Sequence, residues 1–80
     1  MKITSDQCRA ARSLLKWSQY QLATKAVVSR STVADFESNA RIPMNNNMRS
    51  IAASMFEAGI EFLPEEGDKG VGVRFRERNL

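Results

Sequence analysis

The chain has 80 residues, with 12 Lys and Arg against 9 Asp and Glu, a net charge of +3, and no histidine. That length supports one domain with a small core. A single cysteine and the missing histidine exclude an internal disulfide, a histidine-based triad and a histidine or multi-thiolate metal centre, so neither an enzyme nor a metal or cofactor is expected.

Three stretches open with the same grammar. Thr4, Ser18 and Ser29 each follow an apolar residue (Ile3, Trp17, Val28) and precede a helical pattern. Each hydroxyl can accept the free amide three residues on, and Gln7 and Gln21 can return a bond to the capping residue. The pairs Ile3 with Cys8, Trp17 with Leu22 and Val28 with Val33 stand at staple spacing. These signals predict helices over 5–15, 19–26 and 30–38. Cys8, Ala11 and Leu15 share one face of the first, with Leu14 beside them; Leu22 and Ala26, then Val33 and Phe36, mark the inner faces of the next two. Ala23 leaves room for a neighbouring helix. Only two residues separate Ala26 from the cap at Ser29, and helices joined so briefly cross steeply, as in a helix-turn-helix.

Asn39 is a candidate left-handed closing residue, and Pro43 enforces an extended approach. Asn45, Asn46 and Asn47 are expected to cap a fourth helix carrying Met48, Ile51, Ala52 and Met55 at helical spacing. Gly59 should end it, with Ile60 folding back on Met55. Residues 60–63 read as a strand stopped by Pro64, 65–70 as a turn, and 71–76 as a second strand with Val71, Val73 and Phe75 on one face. The tail from Glu77 to Leu80 is expected to fray. The expected fold class is mainly α, four to five short helices containing a helix-turn-helix with a C-terminal two-stranded β-hairpin. Residues 1–59 form the helical unit and 60–80 the hairpin.

Charge is uneven. Residues 1–43 hold seven bases and three acids, whereas 44–80 hold five bases and six acids. A positive N-terminal half suits a polyanion, and nucleic acid is the commonest. No apolar run approaches the ~20 residues that span a bilayer, and the start, MKITSDQCRAAR, lacks a signal-peptide core. With one thiol, a cytoplasmic location is expected. Cys8 itself reads as a small buried hydrophobe.

The stretch from Ser18 to Pro43, SQYQLATKAVVSRSTVADFESNARIP, resembles the Cro and lambda-repressor type of helix-turn-helix domain, also called the XRE family. Its most specific elements are Trp17-Ser18-Gln19, Leu22-Ala23, Val28 to Val33, Phe36-Glu37 and Arg41-Ile42-Pro43. The likeness covers about residues 4–58, and the ending around Gly59 to Phe62 and Gly70 to Arg74 is similar to small bacterial and phage members. The resemblance implies a sequence-specific transcriptional regulator, usually dimeric. Val27 departs from the pattern, since the family carries glycine there and a β-branched residue at positive φ costs about 1–2 kcal/mol.

In such a protein the helix over 30–38 enters the major groove. Arg30 is then the leading base reader, because a guanidinium can grip guanine O6 and N7 together. Ser31, Thr32, Asp35 and Ser38 are the other candidates; Asp35 can accept from a cytosine amino group, hold register by repelling phosphate, or pair with an arginine. Gln19 should bond phosphate at a helix start, a role that the resemblance also gives it. Ser29 (primarily a cap), Asn39, Arg41, Asn46, Asn47 and Arg49 are further phosphate candidates, which position without specifying sequence. Trp17 is expected in the core and Tyr20 on the phosphate side, in preference to base stacking. One unit makes few base contacts, so a homodimer on a pseudo-palindromic double-stranded DNA operator is expected, acting as a repressor by occlusion. The strand carrying Val71, Val73 and Phe75 is the candidate dimerisation element; alternatively it only covers Met55, Phe56 and the helices, with Arg74 and Arg76 protecting its edge. The alternative function is an antitoxin-type module that binds a toxin partner, through the hairpin and its acidic turn, and its own promoter.

Overall fold

Helix starts are where this sequence speaks most plainly. In the computed structural model, which describes residues 1–78, α1 spans Ser5–Leu15, α2 Gln19–Ala26 and α3 Arg30–Glu37. Thr4, Ser18 and Ser29 cap them, their hydroxyls accepting the amides of Gln7, Gln21 and Thr32 at 3.0, 3.0 and 3.1 Å. Gln7 and Gln21 complete reciprocal boxes. The third helix ends one residue earlier than expected, leaving Ser38 as its closing residue with its hydroxyl donated back to the Asp35 carbonyl at 3.3 Å.

The three ends also share a pattern. Lys16, Val27 and Asn39 adopt left-handed backbone, at φ 59°, 57° and 64°. Each donates its amide to the carbonyl three residues back, and the next residue donates five residues back, as Trp17 does to Arg12 at 2.9 Å and Val28 to Ala23 at 3.0 Å. This double bond pair satisfies carbonyls that a helix end otherwise leaves open. Asn39 fulfils its expected role. Val27 accepts the strained conformation, with its side chain 88% exposed.

The start of α4, Asn45–Glu57, corrects an expectation. Asn45, Asn46 and Asn47 do not cap it; they form its first turn. Pro43 holds the chain extended, so Met44 takes the capping position with no side-chain acceptor to offer, and its carbonyl receives Met48 N at 2.9 Å. At the far end Gly59, at φ 113°, turns the chain into β1.

Strand β1, Ile60–Leu63, pairs antiparallel with β2, Gly72–Phe75, in the register Ile60 with Phe75 and Phe62 with Val73. β2 is shorter than expected, and Val71 lies outside it, exposed. The inner face of the hairpin joins the helical core. Ile60 is fully buried with Cys8, Leu22, Val33, Ile51 and Met55, and Phe62, Val73 and Phe75 pack against that cluster. Leu14, expected near the inner stripe of α1, is exposed. On the outer face Arg74 Nε donates to Glu61 at 2.7 Å, so Arg74 serves a cross-strand pair. Gln7 Nε2 donates to the carbonyls of Leu63 and Gly72, at 3.1 and 3.0 Å, and ties the hairpin to α1. Phe56 stays partly exposed, under the Arg76 guanidinium 4.6 Å from its ring. Glu77 and Arg78 are exposed; the rest of the tail, Asn79 and Leu80, lies outside the described residues.

Candidate nucleic-acid interface

Helix α3 is eight residues long, so its sides have distinct tasks. Val33, Phe36 and Glu37 point inward and are buried. Arg30 and Ser31 are exposed, and Thr32 and Asp35 half-buried, on the outward side. Ser38 is exposed beyond the last turn. The Ser29 hydroxyl lies 3.0 Å from that of Ser31 and 2.7 Å from that of Thr32, so the three form a small hydroxyl cluster at the helix start. The cap thus engages Ser29, and a phosphate would have to compete for it.

The loop after α3 is fastened alongside it. The amides of Ala40 and Arg41 both donate to the Asp35 carbonyl, at 2.8 and 3.2 Å. Asn39 is exposed, and its side-chain oxygen accepts the Ser5 hydroxyl at 2.8 Å, which anchors the loop to α1. Pro43 is buried. These ties bring Ser31, Asp35, Arg41, Ile42, Met44 and Asn47 around one shallow depression of about 200 Å³. Asn46 and Arg49 are exposed in the first turns of α4, and Asn46 accepts the Asn47 amide at 2.9 Å.

Arginines divide into two groups. Arg9, Arg12 and Arg74 are in ion pairs, with Asp6, Glu37 and Glu61. Arg30, Arg41, Arg49, Arg76 and Arg78 are in none among the described residues, Arg76 lying on the Phe56 ring beside the hairpin. Arg30 on α3, Arg41 in its loop and Arg49 on α4 are exposed, and guanidinium groups of this kind suit phosphate and base edges.

Gln19 is placed by a residue whose role the sequence reading passed over. Glu37 is buried, 4% exposed. Its carboxylate accepts Arg12 Nε and Nη2 at 2.8 Å each, Gln19 Nε2 at 3.0 Å and the Cys8 thiol at 3.2 Å. Its backbone carbonyl accepts Arg9 Nη1. Arg12 Nη1 also donates to Trp17 O at 2.8 Å, in the link between α1 and α2. Burial alone would raise the Glu37 carboxyl; hydrogen bonds from Arg12, Gln19 and Cys8, with the Arg12 charge, outweigh it and hold the carboxyl below its ordinary range. The same contact raises Arg12, and burial together with Glu37 drives the Cys8 thiol upward, so it stays protonated. One signal for this hub was available: Arg12 stands with Cys8, Ala11 and Leu15 at helical spacing, a base inside an apolar stripe.

With Nε2 bonded to Glu37, Gln19 is held at the start of α2, where one amide hydrogen and the helix-end N–H groups remain for an anion. Trp17 is half-buried against the core, with Lys25 Nζ 5.4 Å from its ring, and Tyr20 is exposed. In the hairpin β2 packs on α1 and β1 on α4, and Val71 stays exposed just before β2. Val73 and Phe75 turn their side chains to the core. Among the described residues no group of His, Cys, Asp and Glu is placed to hold a metal ion, and no helix is long and apolar enough to cross a membrane.

A family model described as helix-turn-helix matches residues 9–57, more than half of the chain. The chain belongs to that family, of the Cro and lambda-repressor type, and is a DNA-binding transcription regulator in the general sense that membership carries. No curated protein matches it.

Proposed function

We propose that this helix-turn-helix protein is a sequence-specific, dimeric repressor that reads the major groove with α3. The observation that carries the reading is a helix whose inner side, Val33, Phe36 and Glu37, is used by the core while Arg30 and Ser31 stand exposed on the other, with exposed and unpaired Arg41 in the loop fastened beside it and Arg49 in α4. Arg30, at the first position of α3, grips guanine. Ser31, Thr32 and Asp35 take neighbouring base edges, and Ser38 lies at the far limit of reach. Gln19, Asn39, Arg41, Asn46, Asn47 and Arg49 hold phosphates, with Ser29 contributing only when its cap bond is exchanged.

Two copies supply the area that one unit lacks. Side chains of Val73 and Phe75 serve their own core, so the strand offers a partner its backbone. Arg76 N donates to Gly59 O at 2.8 Å, in step with the Ile60 to Phe75 register. Antiparallel bonding alternates, so the N–H and C=O groups of Val73 and Phe75 face the outer edge of β2, where a second β2 can pair. Exposed Val71 flanks that edge. The acidic turn, Glu65, Glu66 and Asp68, is exposed and is the surface a toxin partner would use.

Selection of bound duplexes from a random pool at two salt concentrations tests the reading. A single enriched site with twofold symmetry is expected, weakening with salt by about 0.9 log unit per log unit for each phosphate engaged. No enrichment, with capture of a neighbouring gene's product by the parent and not by a hairpin-deleted chain, would replace it with the toxin-binding reading.

A further inference from the structure

Ile42 and Met44 are 75% and 68% exposed, and they are exposed together. Isolated apolar side chains on a surface are ordinary. This pair is different because its backbone is pinned. Ala40 and Arg41 are bonded to the Asp35 carbonyl on one side, Pro43 is buried between the two, and Met44 O accepts Met48 N on the other. The loop is built to hold these two side chains out. With Pro43 they are the apolar part of the lining of a depression whose polar part is Ser31, Thr32, Asp35, Arg41 and Asn47.

Resting on the DNA reading, we propose that Ile42 and Met44 determine specificity by contacting the C5-methyl groups of thymine beside the bases that Ser31 and Asp35 face. The major-groove edge of DNA offers donors and acceptors at every pair, and one apolar group, the thymine methyl. An apolar bank next to hydrogen-bonding side chains matches that edge. Phosphates fall to Arg41, in the same lining, and to Arg49 in α4, and Ile42 and Met44 have no use for them. A second copy of the chain does not fit this surface, because a twofold contact there would bring the unpaired Arg41 and Arg49 of both copies together.

The experiment takes the enriched operator and replaces each thymine singly with deoxyuridine, which removes only the methyl. Loss of one buried methyl contact is expected to weaken binding about fourfold at one or two thymines per half-site. Ile42→Ala with Met44→Ala should bind the thymine operator as the parent binds one carrying uracil at every contacted position of both half-sites, and should show no further loss on uracil. Both side chains are exposed, so melting of the variant should match the parent. An operator indifferent to uracil at every position overturns the proposal, as does a uracil penalty that persists in the variant. Uniform weakening of the variant on thymine and uracil operators alike would show contact with the sugar-phosphate backbone and also overturns it. A pool with no enriched duplex removes the DNA reading and this inference together, whereas an enriched but uracil-indifferent operator removes this inference alone.

Discussion

Arg12 and Glu37 meet through two parallel bonds of 2.8 Å, from Nε to Oε2 and from Nη2 to Oε1, though they are 25 residues apart. The pair joins the last turn of α1 to the last turn of α3. Glu37 is nearly inaccessible and the Arg12 side chain is 20% exposed, so each charge depends on the other for solvation.

Removing either member strands its partner. Arg12→Ala and Glu37→Ala are each expected to lose about 3 kcal/mol of unfolding free energy in urea titrations, the cost of an uncompensated buried charge. Arg12→Met combined with Glu37→Leu should recover most of that loss, because an apolar pair needs no counter-charge. Single variants as stable as the parent would refute the buried-pair account.

The same carboxylate makes stability depend on acid. Its folded-state pKa lies below its ordinary value of 4.5. The folded state therefore gains from Glu37 above pH 4.5, and the gain drains away as pH falls through the lower folded value. Denaturation midpoints measured between pH 7 and pH 3 should fall in that window. Glu37→Gln should flatten this part of the slope while starting from lower stability at pH 7; an unchanged slope would contradict the assignment.

Val27 closes α2 in a conformation that β-branched residues resist. Its side chain is almost wholly in solvent, so removing it forfeits little packing. Val27→Gly relieves the left-handed strain of about 1–2 kcal/mol and returns part of it as unfolded-chain entropy. A net gain of about 0.5–1 kcal/mol, or some 4 °C in melting temperature, is expected. A lower melting temperature would mean that the exposed valine stabilises the fold by a contact of its own.

Interface variants should separate by kind. Arg30→Ala should cost about 1–3 kcal/mol on the best operator and relax preference at one base position. Arg41→Ala and Arg49→Ala should weaken all sequences together and lower the salt slope by about 1 each. Gln19→Ala should weaken all sequences with the slope unchanged, since no charge is removed. Fluorescence anisotropy over a salt series reads all four.

If β2 pairs with its copy, sedimentation should show a monomer–dimer equilibrium. Val71→Lys, at the exposed approach to that edge, should shift it toward monomer without lowering the melting temperature, by setting like charges across the twofold. A parent that stays monomeric at every concentration would end the hairpin-dimer reading.

Much of this was readable in the residues because capping is local. Thr4, Ser18 and Ser29 act within three positions of themselves, so the starts of α1 to α3 fell where expected. The asparagine run misled for the same reason: Asn45 to Asn47 have capping chemistry, but Pro43 set the backbone one residue earlier and gave the position to Met44. Glu37 was out of reach for a different reason. Its partners, Cys8, Arg12 and Gln19, lie 18 to 29 residues away, and no periodicity links them.

One carboxylate thus ties α3, the helix proposed to read bases, to Gln19, the glutamine proposed to hold phosphate. The molecule behaves as a gauge with its calibration screw inside. On the proposed reading, a change at Glu37 would mistune every half-site alike, altering how the protein sits on DNA while leaving its outward chemistry untouched.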